Sequence, residues 1–114
     1  MMKVSGTKIS LTRGDSVIIS VAATDGTNPF PLTTGDTIYF TIKADAGTST
    51  KLVQKVITTF TVDGKAIITL NPADTKPLAY GDYLYDVQLT LSTNEVITII
   101  APSRFTILEE VTYE

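Results

Sequence analysis

The sequence predicts an all-β protein, a two-sheet antiparallel β-sandwich of about seven to eight short strands in one domain spanning residues 1–114. Three observations lead there. Twenty Thr, twelve Ile and nine Val stand among the 114 residues, and these side chains are stiff at χ1 and suit a pleated surface better than a helix. Apolar and polar residues alternate in short runs, the pattern of strands with one face on a core. Turn dipeptides separate the runs, and no stretch carries the Ala, Leu, Glu and Lys content of a good helix.

The strands follow in order. Lys8–Thr12 is the first. The second, 16–24, places Val17, Ile19, Val21 and Ala23 on one face. In the third, Thr37–Lys43, Ile38, Phe40 and Ile42 point inward and Tyr39, Thr41 and Lys43 outward. The fourth, 51–62, is irregular: Leu52, Val53, Val56, Ile57 and Phe60 sit at helical spacing, while Thr58, Thr59 and Thr61 favour a strand. The fifth is 65–70. The sixth, 82–91, sends Tyr83, Tyr85, Val87, Leu89 and Leu91 one way and Asp86, Gln88 and Thr90 the other. Segments 95–101 and 104–112 supply the seventh and eighth.

The punctuation agrees. Asp25-Gly26 and Asp63-Gly64 are turn dipeptides, and the second reads as a tight hairpin between strands four and five. Gly14-Asp15, Gly35-Asp36 and Gly81-Asp82 open strands, with glycine supplying a positive φ and Asp able to bond nearby backbone. Asn28-Pro29-Phe30-Pro31 reads as a rigid extended loop and 44–50 as a polar one. Asn71-Pro72-Ala73-Asp74 reads as an N-cap, a proline at the first helical position and one short turn, ended by Pro77. That turn precedes Gly81-Asp82-Tyr83-Leu84-Tyr85. Asp74, Gly81, Tyr83 and Tyr85 together resemble the tyrosine corner of an immunoglobulin-type sandwich, whose Tyr bonds the preceding turn through its hydroxyl. Tyr85 then occupies the place of the second cysteine. The sandwich is therefore expected to be Ig-like, without the Cys-Trp-Cys pin.

Composition excludes much chemistry. There is no Cys, His or Trp, which removes zinc-finger, haem, iron–sulfur and thiol chemistry and every Ser-His or Cys-His nucleophile pair. Asp82 and Asp86 share a strand face about 13 Å apart at roughly 3.3 Å per residue, too far for a glycosidase pair at about 5–9.5 Å. Glu109 and Glu110 point to opposite faces of a strand. An enzyme is not expected, nor a cofactor. Asp15, Asp36, Asp74 and Asp82 fall in turns, but in no loop of alternating acidic residues that would surround calcium, so they read as strand-entry caps and no metal is expected. Nine basic residues face twelve acidic ones. The basic ones are scattered, so no nucleic-acid partner is expected. No apolar stretch follows Met1-Met2-Lys3-Val4-Ser5, so no signal peptide is expected, and no run reaches the roughly 20 apolar residues of a membrane span.

Two features concern recognition. Arg13-Gly14-Asp15-Ser16 contains an adhesion-type tripeptide, but Gly-Asp opens two other strands without Arg, so turn chemistry explains it. Val96-Ile97-Thr98-Ile99-Ile100 is apolar on both faces, unlike an outer strand of a small sandwich. With Ile18 and Tyr39 as further outward residues, a protein contact built from Ile18, Tyr39, Val96 and Ile100 is expected.

The runs 9–15 and 35–43, then Leu70-Asn71-Pro72-Ala73-Asp74-Thr75, Tyr80-Gly81-Asp82-Tyr83-Leu84-Tyr85 and Ala101-Pro102-Ser103-Arg104-Phe105, carry a further likeness. Through them nearly the whole chain resembles small prophage-encoded tail and baseplate β-sandwich proteins of Gram-positive bacteria, similar to the N-terminal domain of baseplate upper proteins. The resemblance implies a virion structural protein, made in the bacterial host cytoplasm. Its partners would be other tail or baseplate proteins, with homo-oligomers allowed. It transfers no catalytic residue. The alternative is a carbohydrate- or cell-surface-binding module with Tyr39, Tyr80 and Phe30 as stacking faces, although sugar platforms favour the absent Trp. An exported adhesion module is disfavoured by the missing signal.

Overall fold

Extended segments with β-branched residues at alternate positions bury one row of side chains and leave the other to water. The computed structural model describes residues 3–5, 8–25, 28–45, 47 and 50–109. Over these it is predominantly β. The strands are β1 (Lys3–Ser5), β2 (Lys8–Thr12), β3 (Val17–Val21), β4 (Ala23–Asp25), β5 (Asn28–Phe30), β6 (Thr37–Lys43), β7 (Val53–Ile57), β8 (Ala66–Leu70), β9 (Gly81–Thr90) and β10 (Val96–Leu108). One short helix, α1 (Pro72–Thr75), precedes β9.

Six strands form one sheet in the order β1-β2-β10-β9-β6-β7, while β3 pairs with β8 and β4 with β5. Pairing is antiparallel except between β2 and β10, which run parallel. That departs from the wholly antiparallel expectation. The two strands lie far apart in sequence, so the chain between them is long enough to return to the same end of the sheet.

One apolar cluster joins the large sheet to the β3–β8 ladder. Leu11, Ile38, Phe40, Ile42, Val87 and Phe105 come from the large sheet, and Val21, Ala66, Ile68 and Leu70 from the ladder and its flank. Three rings sit at its centre. Phe40 lies 5.5 Å from Tyr85 and 6.5 Å from Phe105, and the Tyr85 and Phe105 rings are 6.1 Å apart at 76°. Such tilted and edge-on pairs suit the ring quadrupoles.

Burial pushes the Tyr85 hydroxyl above its ordinary pKa of 10.0. The neutral form is therefore favoured by folding. This contribution is fully present below about pH 10, the unfolded value, and is lost as the pH rises through the raised folded value. Circular dichroism during alkaline titration is expected to show unfolding above pH 10 coupled to tyrosinate absorbance. Tyr85→Phe should move that midpoint upward; an unmoved midpoint would mean that other groups drive the alkaline transition.

The residues expected to form one corner act as two separate devices. The Tyr83 hydroxyl donates to the Ala79 carbonyl at 2.6 Å. Asp74 acts on the helix instead: its carboxylate accepts from the Asn71 backbone N–H at 2.7 Å and from Lys55 Nζ at about 3 Å. Thr75 is fully buried, and its hydroxyl accepts from the Gly14 N–H at 2.9 Å, tying α1 to the β2–β3 turn. The three Gly-Asp strand starts have positive φ as expected: 85° at Gly14, 100° at Gly35 and 138° at Gly81.

Several expected elements change. The seventh and eighth strands are one, β10, which runs through Pro102 with register shifts between Thr98 and Ile100 and between Ile100 and Ser103. Pro102 falls in the second shift, and β2 joins β10 only from Phe105 onward, so its missing N–H removes no ladder bond. The second strand divides at Ala22 into β3 and β4. Asn28–Phe30, expected as a loop, pairs with β4 as β5. The fourth strand shortens to Val53–Ile57 and shows no helix. The Asp63-Gly64 turn forms, with Gly64 N–H on the Thr61 carbonyl and Thr61 N–H on the Lys65 carbonyl, each at 2.9 Å. It does not join paired strands, because β7 belongs to the large sheet and β8 to the ladder. The chain must cross between packed layers about 10 Å apart, and the unpaired stretch after Ile57 makes that crossing. The expected turn residue Gly26, residues 46, 48 and 49 of the expected polar loop and residues 110–112 of the expected last strand lie outside the described residues.

Candidate functional site on the outer face of the large sheet

Alternation in β6 and β9 sends one row of side chains into the core and the other to the opposite face. Cross-strand register orders that outer face. Val56, Tyr39, Gln88 and Thr98 form one row across β7, β6, β9 and β10. Gln54, Thr41 and Asp86 form the next, and Lys43, Leu84 and Arg104 a third. The face encloses a groove of about 340 Å³ lined by Tyr39, Gln54, Asp86, Gln88 and Val96, with Lys43 toward one end.

The lining mixes apolar and polar side chains and is charge-balanced. Lys43 and Lys51 stand against Asp45 and Asp86. Gln54 Nε2 donates to the Thr41 hydroxyl at 3.2 Å, which fixes the amide over the sheet. Tyr39, Asp86 and Gln88 have no side-chain hydrogen bond among the described residues. Their donors and acceptors face solvent in the groove.

The four residues expected to form one contact separate. Tyr39 and Val96 do share the groove. Ile18 lies on the outer face of the ladder, 65% exposed, with Ile67 39% exposed beside it across the Ser20–Ile67 and Ile18–Thr69 pairs. Ile100 is a correction: it stands opposite Val87 and packs half-buried against the core. The bulge after Thr98 inserts one residue, so the simple alternation that would put Ile100 beside Val96 reverses.

The other candidates resolve locally. The Arg13 guanidinium lies 4.4 Å over the Tyr80 ring and Gly14 is held by Thr75, so the Arg-Gly-Asp segment is part of a pinned turn. Tyr80 is thereby engaged, and Phe30 packs half-buried against the core. Of the three expected stacking residues, only Tyr39 faces the groove. Asp36 accepts backbone N–H groups from Thr33 at 3.0 Å and Ser92 at 3.2 Å, and Asp82 accepts the Thr106 hydroxyl at 2.8 Å. Among the described residues, no three His, Cys, Asp or Glu side chains gather as a metal site, and no helix is long and apolar enough to cross a membrane.

A second surface escaped the sequence pattern. A cleft of about 370 Å³ opens between β7 and β8, lined by Val56, Ile57, Phe60 and Ile67. Val62, in the connection that follows, is fully exposed. The available signal was the doublet Ile67-Ile68, in which one of two adjacent isoleucines must face outward. Comparison with protein-family models, with curated proteins and with solved structures finds no match to this chain.

Proposed function

We propose that this chain is a non-enzymatic structural module of a phage tail or baseplate, carried in the virion and acting by docking to neighbouring proteins. The observation that carries the docking is the apolar flank formed by Ile18, Val56, Val62 and Ile67, with exposures of 65, 51, 109 and 39%. Val56 and Ile67 line the cleft between β7, which ends the large sheet, and β8, which pairs with β3, and Ile18 lies diagonally across the ladder from Ile67. Exposed apolar residues beside strand edges suit a partner that covers them or adds a strand. The assignment to phage particles rests on the resemblance of the strand-and-turn motifs described above.

The same reading takes the fold as an Ig-like sandwich of variable type. The order β10-β9-β6-β7 corresponds to G-F-C-C′ and the β3–β8 pair to B-E. Tyr83 supplies the corner bond at the start of strand F, and Phe40 and Tyr85 stand for the missing Trp and cysteine.

Mass spectrometry of particles purified after induction of the source lysogen tests the proposal. The protein is expected among the virion components, and its absence would overturn the reading. Ile18→Lys combined with Ile67→Lys is expected to reduce incorporation into particles while leaving the circular dichroism spectrum unchanged, because both side chains point away from the core. Full incorporation of that variant would place the contact elsewhere.

A further inference from the structure

Docking along the β7–β8 flank leaves the groove over β6 and β9 unoccupied. We propose that this groove binds a neutral saccharide chain. Charge decides the class first: two lysines and two aspartates compensate within the lining. A polyanion would meet Asp45 and Asp86, and a polycation would meet Lys43 and Lys51. A neutral ligand with many hydroxyls meets neither penalty.

The geometry then suits a sugar. A pyranose ring has a C–H face and a hydroxyl rim. Tyr39 offers an aromatic face with Val96 in the same groove, so the apolar part of a ring has somewhere to lie. The rim is served by Gln88, directly across from Tyr39. A carboxamide both donates and accepts, and a carboxylate accepts from two hydroxyls. Asp86 and Gln54 lie one row along, about 7 Å away at two residues of strand rise. The ring stacked on Tyr39 and the hydroxyls of its neighbour are thus addressed separately. Tyr39, Asp86 and Gln88 have no competing side-chain bond among the described residues, and Gln54 is already positioned by Thr41. All stand on three neighbouring strands, with β6 paired to both β7 and β9, so little order is lost on binding. The groove's volume is at the lower end of the roughly 300–1,000 Å³ range of ligand sites, which suits a short segment of a chain. With Tyr39 the one outward tyrosine of the lining, Tyr85 being buried, and no tryptophan in the chain, affinity on the order of millimolar is expected.

Two-dimensional amide NMR of the full chain tests this. The probes are neutral oligomers of glucose, galactose and N-acetylglucosamine, with dextran sulfate as the anionic arm. Saturable shifts centred on residues 39, 54, 86 and 88 are expected for at least one neutral oligomer. Tyr39→Ala should weaken binding about tenfold, and Gln88→Ala and Asp86→Asn should each weaken it measurably with spectral dispersion retained. Ile18→Lys should leave it unchanged. No saturable shift with any neutral oligomer, shifts mapping to another face, or preference for dextran sulfate would each overturn the proposal. So would loss of virion incorporation on Gln88→Ala without sugar binding by the parent, which would make the groove a protein contact. Virion content and sugar titration are read separately, so this inference and the docking proposal fail independently.

Discussion

Gly64→Ala is expected to destabilise the protein by about 3 kcal/mol or more, summing a left-handed backbone cost with a backbone overlap. Gly64 has φ +79°, and a Cβ there would lie 2.7 Å from Pro31 Cα and 2.8 Å from the Leu32 nitrogen. These are backbone atoms and cannot rotate away. Retreat is opposed because the Leu32 N–H donates to the Gly64 carbonyl at 3.0 Å and Leu32 is buried. The turn between β7 and β8 is thereby locked onto the segment that leads into β6. Two other glycines provide a scale. At Gly35, φ is +100° and the added Cβ would meet the Ser92 Cβ at 3.0 Å; at Gly81, φ is +138° and nothing lies within 4 Å. Urea unfolding should show Gly64→Ala to be more damaging than Gly35→Ala, while Gly81→Ala reports the backbone cost alone. If Gly64→Ala costs less than about 1 kcal/mol, the close approach to Pro31 is not a constraint.

Phe40→Ala should cost about 3–5 kcal/mol, the range for emptying a buried aromatic site. Phe40 is fully buried and contacts both other rings of the central triad. Against a total of about 5–15 kcal/mol for a domain, that is a large share, and Tm should fall by on the order of 15 °C. The neighbouring position is the control. Tyr39 points to the opposite face, so Tyr39→Ala is expected to cost about 1 kcal/mol or less, the scale of a cross-strand pair. Calorimetry of the two variants checks the sidedness of β6 directly. Equal losses would sink it, and would also remove Tyr39 from the groove.

Sidedness of this kind was the part of the fold most legible in the sequence. The alternation in β6 and β9 identifies Phe40, Val87 and Leu89 as interior and Tyr39, Asp86 and Gln88 as exterior, and the burial pattern agrees. The cap at Asn71, the bond of the Tyr83 hydroxyl to the preceding turn and the positive φ of the three Gly-Asp starts were legible for the same reason: each is decided within a few residues. Partner choice is not local. Nothing near Lys8–Thr12 states that it will lie parallel to the far end of the chain. Nothing in the run after Leu52 states that β7 and β8 enter different sheets. The bulge after Thr98 shows how one inserted residue defeats a period-two argument: Val96 stayed outward and Ile100 turned to the core. The groove was half legible. Tyr39 and Val96 were singled out, but bringing Gln54, Asp86 and Gln88 beside them depends on a register between strands that are distant in sequence.

The parallel pairing of β2 with β10 also has a mechanical consequence. In parallel strands the leading end of one and the trailing end of the other lie at opposite ends of the ladder. Tension applied across the protein first peels away the short β1 hairpin arm, one rung at a time. It then meets the rungs from Phe105–Ile9 to Leu108–Thr12 lengthwise, so they are loaded together in shear and must yield together. A fold joined this way resists a pull along its strands far better than one whose end strands unzip.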